Sequence, residues 1–294
     1  MLEFDVPEIE YDRYSNRQLA VPPLIVLGIA ILMLALHYLV NGTPVPLGFD
    51  FTGGTEMRLA TDGGREAIRQ AFGAEINTIR PVQGGDEFIV TFLQDGTSQQ
   101  NLIDMADDAE GITRLRTDTR SATFGGENQR NALFGLAIAF VGMSVFVFAI
   151  FRTFVPSIAI VISAFSDIVI PMGMVAFLSL TGIAEINLTL GTVAALLMLI
   201  GYSVDSDILL NNHILRRRGG FYESTYNAMQ TGVTMTLTSI VAMIVMTIIA
   251  LLLSIPLLPD IGIILVFGLT ADLMNTYMLN LSLLRWYKFE GVAR

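Results

Sequence analysis

Gly201-Tyr202-Ser203-Val204-Asp205-Ser206-Asp207 closes an otherwise apolar run that begins at Leu188. Residues 188–204 suit lipid, but Asp205 and Asp207 do not. A charged Asp near the centre of a spanning helix costs about 2.5–3.5 kcal/mol, so it normally turns toward a bundle interior or a water-filled cavity. Two further isolated carboxylates interrupt apolar runs: Asp167 within Pro156–Leu180 and Asp272 within Ile261–Leu284. Intramembrane carboxylates on several helices point to a protein that moves ions or uses them.

Working outward, the chain has 294 residues, 53% of them hydrophobic, with a mean hydropathy of +0.60, too apolar for an ordinary soluble domain. Hydropathy places six spans at Leu19–Val40, Asn131–Phe151, Pro156–Leu180, Ile186–Ile208, Thr231–Leu257 and Ile261–Trp286. Each offers the roughly 17–20 residues that a hydrocarbon core of about 30 Å requires. The first is too long for a cleaved signal peptide and no small-residue cleavage site follows it, so it is expected to stay in the mature protein. The expected partition is a cytoplasmic segment 1–18, a first helix 19–40, an extracytoplasmic α+β domain 41–130, five helices within 131–286, and a cytoplasmic tail 287–294.

Basic residues set the orientation. Arg13 and Arg17 precede the first span, Arg152 lies between the second and third, Arg216, Arg217 and Arg218 follow the fourth, and Arg285, Lys288 and Arg294 follow the sixth. All of these fall on one side, which makes both termini cytoplasmic. The 27 Asp and Glu residues exceed the 17 Lys and Arg, and Lys288 is the only lysine. Such an acid-rich, lysine-poor surface suits very high salt and argues against a nucleic-acid partner. With no cysteine, neither a disulfide framework nor a thiolate metal site can form.

Residues 41–130 alternate as a βαββαβ unit. Thr55–Thr61 reads as a strand with Met57 and Leu59 on one face and Glu56 and Arg58 on the other. Gly64–Phe72 reads as an amphipathic helix, Ile76–Val82 and Glu87–Leu93 as strands joined through Gly84-Gly85-Asp86, Thr97–Asp108 as a second helix and Ile112–Thr123 as a last strand. That order is the ferredoxin-like one.

Helical geometry separates the two carboxylates of the opening stretch. Two residues on a helix turn through about 200°, so Asp205 and Asp207 cannot share a face. Asp205 lies with Gly201, Ile208 and Asn212, and Asp207 with Ser203 and Asn211. In Gly48-Phe49-Asp50-Phe51-Thr52-Gly53-Gly54-Thr55 the paired glycines permit positive φ and close backbone approach, and Asp50 and Thr52 can bond local amides. The stretch reads as a rigid connector between the first span and the domain. It is not a phosphate loop, because no Lys-Ser/Thr follows and it leads into a strand. Asp272, with Asn275 one turn on, reads as a packing or partner contact. His37, beside Tyr38, reads as an interfacial amphipath before it reads as a proton carrier.

These residues carry a resemblance. Gly48–Thr55 and Gly201-Tyr202-Ser203-Val204-Asp205 resemble signature motifs of the SecD/SecF family of protein-export membrane proteins, archaeal SecF type, within the resistance–nodulation–division superfamily. Weaker echoes are Phe124-Gly125-Gly126-Glu127, Ser166-Asp167, and Gln230-Thr231 with Thr238-Ser239. The layout of one span, a domain and five spans agrees throughout. The resemblance implies a six-helix half-transporter carrying a ferredoxin-like domain and paired with a SecD-like subunit. It further implies contact with the SecY translocon, unfolded preproteins and membrane lipid, and neither cofactor nor metal. Asp205 then aligns with the intramembrane Asp of SecD and is the first candidate ion relay, ahead of Asp207 and Asp167. The chain departs from bacterial relatives in its fifth span, where Thr234 stands nearest to their Arg. Their Asp–Arg partnership therefore does not carry over, and the coupling ion is left open.

Three functions compete. The leading one is a non-enzymatic export accessory drawing on an ion gradient. A half-transporter of small molecules or lipids would need an apolar pocket in the domain. An intramembrane aspartyl protease would need Asp167 and Asp205 to share a proton, but Ser166 and Val204 precede them in place of the motifs of that class.

Overall fold

The computed structural model describes residues 9–73, 76–82, 86–92, 98–184, 186–216, 220–253, 255 and 257–291. Leu93, Thr97, Arg217, Arg218, Arg294 and the Gly84-Gly85 turn lie outside them.

Among the described residues, six helices are long and apolar enough to cross a membrane. They are α1 (Asn16–Asn41), α5 (Ala122–Phe151), α6 (Phe154–Thr181), α7 (Leu190–Arg216), α8 (Phe221–Leu252) and a sixth span, Leu258–Phe289. The sixth span is not continuous α-helix: α9 (Leu258–Met274) passes through a π-helical turn at Asn275–Asn280 into α10 (Leu281–Trp286). Several helices begin before their apolar runs, because capping and not hydropathy starts them. Ser15 and Gln18 form a capping box ahead of α1. The Ser121 hydroxyl accepts from the Phe124 N–H, so α5 starts at Ala122 and takes in Phe124–Glu127.

Between α1 and α5 sits the α+β domain: β1 (Gly54–Ala60), α3 (Gly64–Phe72), β2 (Ile76–Val82), β3 (Glu87–Phe92), α4 (Gln99–Asp108) and β4 (Thr113–Arg120), preceded by the single turn α2 (Phe49–Thr52). The sheet order is β2-β3-β1-β4 with every pair antiparallel, which is the ferredoxin-like arrangement read from the sequence. Met57 and Leu59 turn inward against Ile68, Phe72, Val90, Phe92 and Leu102, while Arg58 on the opposite face bonds Glu87. The last strand ends at Arg120, short of Thr123, because Ser121 is already the cap of α5.

Within the bundle, α6, α7 and the sixth span are interior: 56% of the apolar window of each is buried, against 17% for α1 and α8 and 6% for α5. The α1–α6 crossing is close enough that a Cβ on Gly173 would lie 2.5 Å from the Ala30 Cα.

The stretch Gly48–Thr55 is the joint between domain and bundle. Gly53 and Gly54 both sit at positive φ (67° and 111°), where a side chain is strained. Asp50 pairs with Arg120, which also lies over the rings of Phe49 (5.2 Å) and Phe124 (6.0 Å). The other Asp50 oxygen accepts from the Leu190 N–H at 3.1 Å, placing a carboxylate at the positive end of α7. Gly48 N–H donates to Leu188 O at 2.8 Å, and Leu188 N–H to Pro46 O at 2.8 Å. A Cβ on Gly125 would meet Phe51 O and Gly53 N at 2.8 Å, so the Phe124–Glu127 motif exists where the start of α5 must touch this joint. Gly125→Ala is therefore expected to destabilise the chain by about 1–3 kcal/mol through overpacking. Gly126→Ala, whose added Cβ meets nothing within 4 Å, is expected to be neutral or stabilising. Thermal melting of the detergent-purified variants separates the two.

Candidate functional site

Asp167 on α6, Asp207 on α7 and Asp272 on α9 converge in the bundle interior, each no more than 1% exposed. Neutral donors surround them. The Ser203 hydroxyl donates to Asp167 Oδ2 at 2.5 Å and the Asn275 amide to Oδ1 at 2.5 Å. Asp207 Oδ1 accepts from Thr276 Oγ1 and from Asn280 Nδ2, both at 2.8 Å. Asp272 Oδ1 accepts from Ser206 Oγ at 2.8 Å and lies 3.2 Å from Thr276 Oγ1. Asn280 also donates to Asn211 Oδ1 (3.0 Å), whose own amide donates to Pro156 O (3.1 Å). Among the described residues no ion pair reaches any of the three carboxylates.

The local fold explains the convergence. Ser203, Asp207 and Asn211 fall one turn apart on a single face of α7. On the sixth span, Asp272, Asn275, Thr276 and Asn280 recur at helical spacing and so share a face, and the π turn at Asn275–Asn280 lies within that ladder. Thr276 is the hinge of the chemistry. Its one hydroxyl proton sits between Asp207 and Asp272, so it can serve one carboxylate at a time, and a hydroxyl accepts from a protonated carboxyl while donating to its neighbour. The cluster can therefore relay a proton or exchange charge for a cation without a basic partner.

The structure separates the sequence candidates as helical geometry requires. Asp207 and Asp167 are inside, joined by Asp272 and Asn275, which the sequence assigned to packing or partner contact. Asp205 is exposed on the outer face of α7, with Gly201, Tyr202 and Asn212, while Ser203 is inside and bonded to Asp167. The α8 polar residues stay apart: Thr234 donates to Gln230 O (2.7 Å), and Thr238 and Ser239 to Met235 O (2.8 and 3.1 Å). His37 is buried, its Nδ1 2.6 Å from Thr43 O and its Nε2 3.3 Å from Ser179 Oγ, far along the chain from the carboxylates. Missed by the sequence reading were Ser206, Thr276 and Asn280, while Asn211 falls on the face it gave to Asp207. Their signal was present as a polar stripe at helical spacing through otherwise apolar spans.

A second feature lies between the domain and the bundle. A cleft of about 1340 Å³ separates the open face of the sheet from the α6–α7 and α8–α9 connections. It is lined by both charged and apolar side chains, among them Glu56, Arg116, Ile183 and Leu257. Burial, then the neighbouring Asp118 charge, raises the Glu56 carboxyl above its ordinary value. Arg80 of β2 crosses the cleft to Asp260 in the first turn of α9, at 3.3 Å.

Comparisons with known proteins agree on one relationship. Residues 101–290 match the family described as protein export membrane protein SecD/SecF, C-terminal. Proteins named "Protein-export membrane protein SecF" from Haloferax volcanii and Haloquadratum walsbyi are 62% and 57% identical, with 100% of each chain covered. One from Methanolacinia petrolearia is 39% identical over 96% of this chain and 97% of its own. Among solved structures, the translocon-associated membrane protein SecDF of Thermus superposes with a TM-score of 0.73 at 20% identity. SecDF in a super-membrane-facing form superposes with a TM-score of 0.63, also at 20% identity. Both matches cover 98% of this chain and 40% of the solved one, so the chain spans two-fifths of those proteins and shares their fold.

Removing Asp207 takes from Thr276 and Asn280 their shorter buried acceptor and leaves them Asp272 and Asn211. Asp207→Ala is expected to cost about 1–3 kcal/mol, while Asp205→Ala, on the exposed face, stays within about 0.5 kcal/mol of wild type. Melting of the purified chain in detergent checks both.

Proposed function

The chain belongs to the SecD/SecF family of protein-export membrane proteins, and from that membership we propose that it is an accessory subunit of the Sec export machinery. In this reading it joins a SecD-like partner beside the SecY channel and promotes preprotein translocation with the help of an ion gradient. It is a multi-pass membrane protein. We place both termini in the cytoplasm and residues 41–130 outside, since Arg13, Arg17, Arg152, Arg216, Arg285 and Lys288 all fall on the side of the termini.

The observation that carries this reading is the buried carboxylate cluster, whose donors among the described residues are all neutral. Adding or removing a positive charge there changes which of Asp167, Asp207 and Asp272 must be solvated by the shared hydroxyls, and so favours a different packing of α6, α7 and α9. Repacking α9 moves its first turn, where Asp260 meets Arg80 of the sheet, so an ionic event in the bundle has a mechanical path to the domain. Asp205, with Tyr202 and Asn212, is then the partner-facing member of the set. A bare carboxylate on that face calls for a donor or cation from the second half.

The competing functions draw no support from the geometry. Among the described residues the domain interior is filled by Met57, Leu59, Phe72 and Phe92, which is not the open apolar pocket a small-molecule exporter calls for. Asp167 of α6 is buried against Ser203 while Asp205 is exposed on the outer face of α7, so nothing in the described geometry pairs the two as a protease dyad.

The test is preprotein export in cells lacking this chain, complemented with wild type or Asp207→Asn, with membrane level and partner association checked in both. The variant is expected to assemble at the wild-type level while preprotein accumulates. Export at the wild-type rate from an assembled Asp207→Asn subunit contradicts the reading.

A further inference from the structure

Residues 9–14, ahead of α1, pack onto the bundle. They carry one tight helical turn at Tyr11–Arg13, and the Ser15 capping box fixes where α1 takes over. Tyr11 is 5% exposed. Its hydroxyl donates to Met229 Sδ of α8 at 3.3 Å, and Arg285 of α10 donates to its carbonyl at 2.9 Å. The ring joins Leu210, Ile214, Met229, Tyr277 and Leu281 in one apolar cluster. Leu210 and Ile214 follow Asp207 along α7, and Leu281 follows Asn280 on the sixth span. The cluster is therefore a layer between the interior carboxylates and the side of the termini. Beyond it lies a cavity of about 290 Å³, walled by Tyr222 and Tyr226, with the exposed Glu10 and Asp12 at its rim. Tyr11 and Met229 belong to both: they floor the cavity and complete the layer.

Two observations mark this floor as one that opens. A thioether is a weak acceptor, so the bond from Tyr11 to α8 is easily given up. Behind it, the Tyr277 hydroxyl is buried with no hydrogen-bond partner among the described residues. It lies against Gly232, one turn along α8 from Met229, where an added Cβ would collide with it. A buried hydroxyl left unmatched is costly, and an entering water would relieve it. The residue before it is Thr276, which bonds Asp207.

We propose that residues 9–14 are a gate on the side of the termini: Tyr11 seated on Met229 closes the path from the cavity to the interior carboxylates, and its withdrawal admits water to Tyr277 and to Thr276 beyond it. Tyr11 is thus a positioning residue for ion passage. The proposal rests on the ion-coupled reading above and adds where the path is shut. An apolar constriction gates by excluding water and needs no charge of its own. Burial pushes the Tyr11 phenol up to about 12, so it serves as a ring and a neutral donor, not as a proton carrier. Arg285 is the latch, since its bond to the Tyr11 carbonyl holds the backbone of the segment in place.

The chain has no cysteine, so a single Thr276→Cys reports water access to the far side of the floor. The full chain is placed in inverted membrane vesicles, with sidedness checked by a tag on the C-terminus. The rate of reaction with a small, charged, membrane-impermeant thiol reagent is then measured. With Tyr11 in place the reaction is expected to be slow. Tyr11→Ala and Arg285→Gln are each expected to speed it by about tenfold or more, and Tyr11→Phe, which keeps the ring, by less. Leu284→Ala makes a void in the same cluster and leaves the segment seated, so the rate should not change. Equal rates in Tyr11→Ala, Arg285→Gln and the parent, or an equal acceleration by Leu284→Ala, would overturn the proposal. Labelling needs no preprotein. Normal export by Asp207→Asn would therefore refute the export coupling and leave the gate standing.

Discussion

A carboxylate inside a membrane bundle must find donors there, and that requirement shapes the rest of this molecule. Asp167, Asp207 and Asp272 come from three different helices and, among the described residues, have no basic partner, so the helices that carry them also carry hydroxyls and amides at matching heights. Ser203 and Ser206 on α7, and Asn275, Thr276 and Asn280 on the sixth span, meet the need. The same demand explains the layering. Helices α6, α7 and α9 form the interior because their polar faces can be buried only against each other, and α1, α5 and α8 wrap them with apolar sides.

Much of this was legible in the chain. The alternation of Glu56, Met57, Arg58 and Leu59 gave the strand, and the order of strands and helices gave the ferredoxin-like topology that the sheet adopts. The 200° turn between Asp205 and Asp207 correctly divided them. What periodicity could not supply was which face looks inward. In a soluble helix the apolar side marks the core, but here lipid and core are both apolar and only polar side chains discriminate. Asn211 one turn beyond Asp207, and Asn280 two turns beyond Asp272, held that information. The Asp50 carboxylate at the start of α7 was illegible for another reason: its partner lies 140 residues away, and no local pattern encodes such a contact.

Two of the described links between domain and bundle differ in kind. The Gly48–Thr55 joint is locked by glycine conformation, by the contact at Gly125 and by Asp50 bonding both Arg120 and α7, so it behaves as a fixed pivot. The Arg80–Asp260 pair spans an open cleft at 3.3 Å and is partly solvated, which makes it a contact that can break and re-form. A pivot and a breakable contact at opposite sides of one cleft are the parts needed to turn a repacking of α9 into a tilt of the sheet.

The central claim is that the interior carboxylates, and not the exposed Asp205 alone, answer to ions. Its most direct test is gradient-driven ion entry into sealed liposomes containing the chain reconstituted with its partner half. The account predicts entry with the wild-type chain and none with Asp207→Asn, at equal incorporation. Undiminished entry with Asp207→Asn would contradict it.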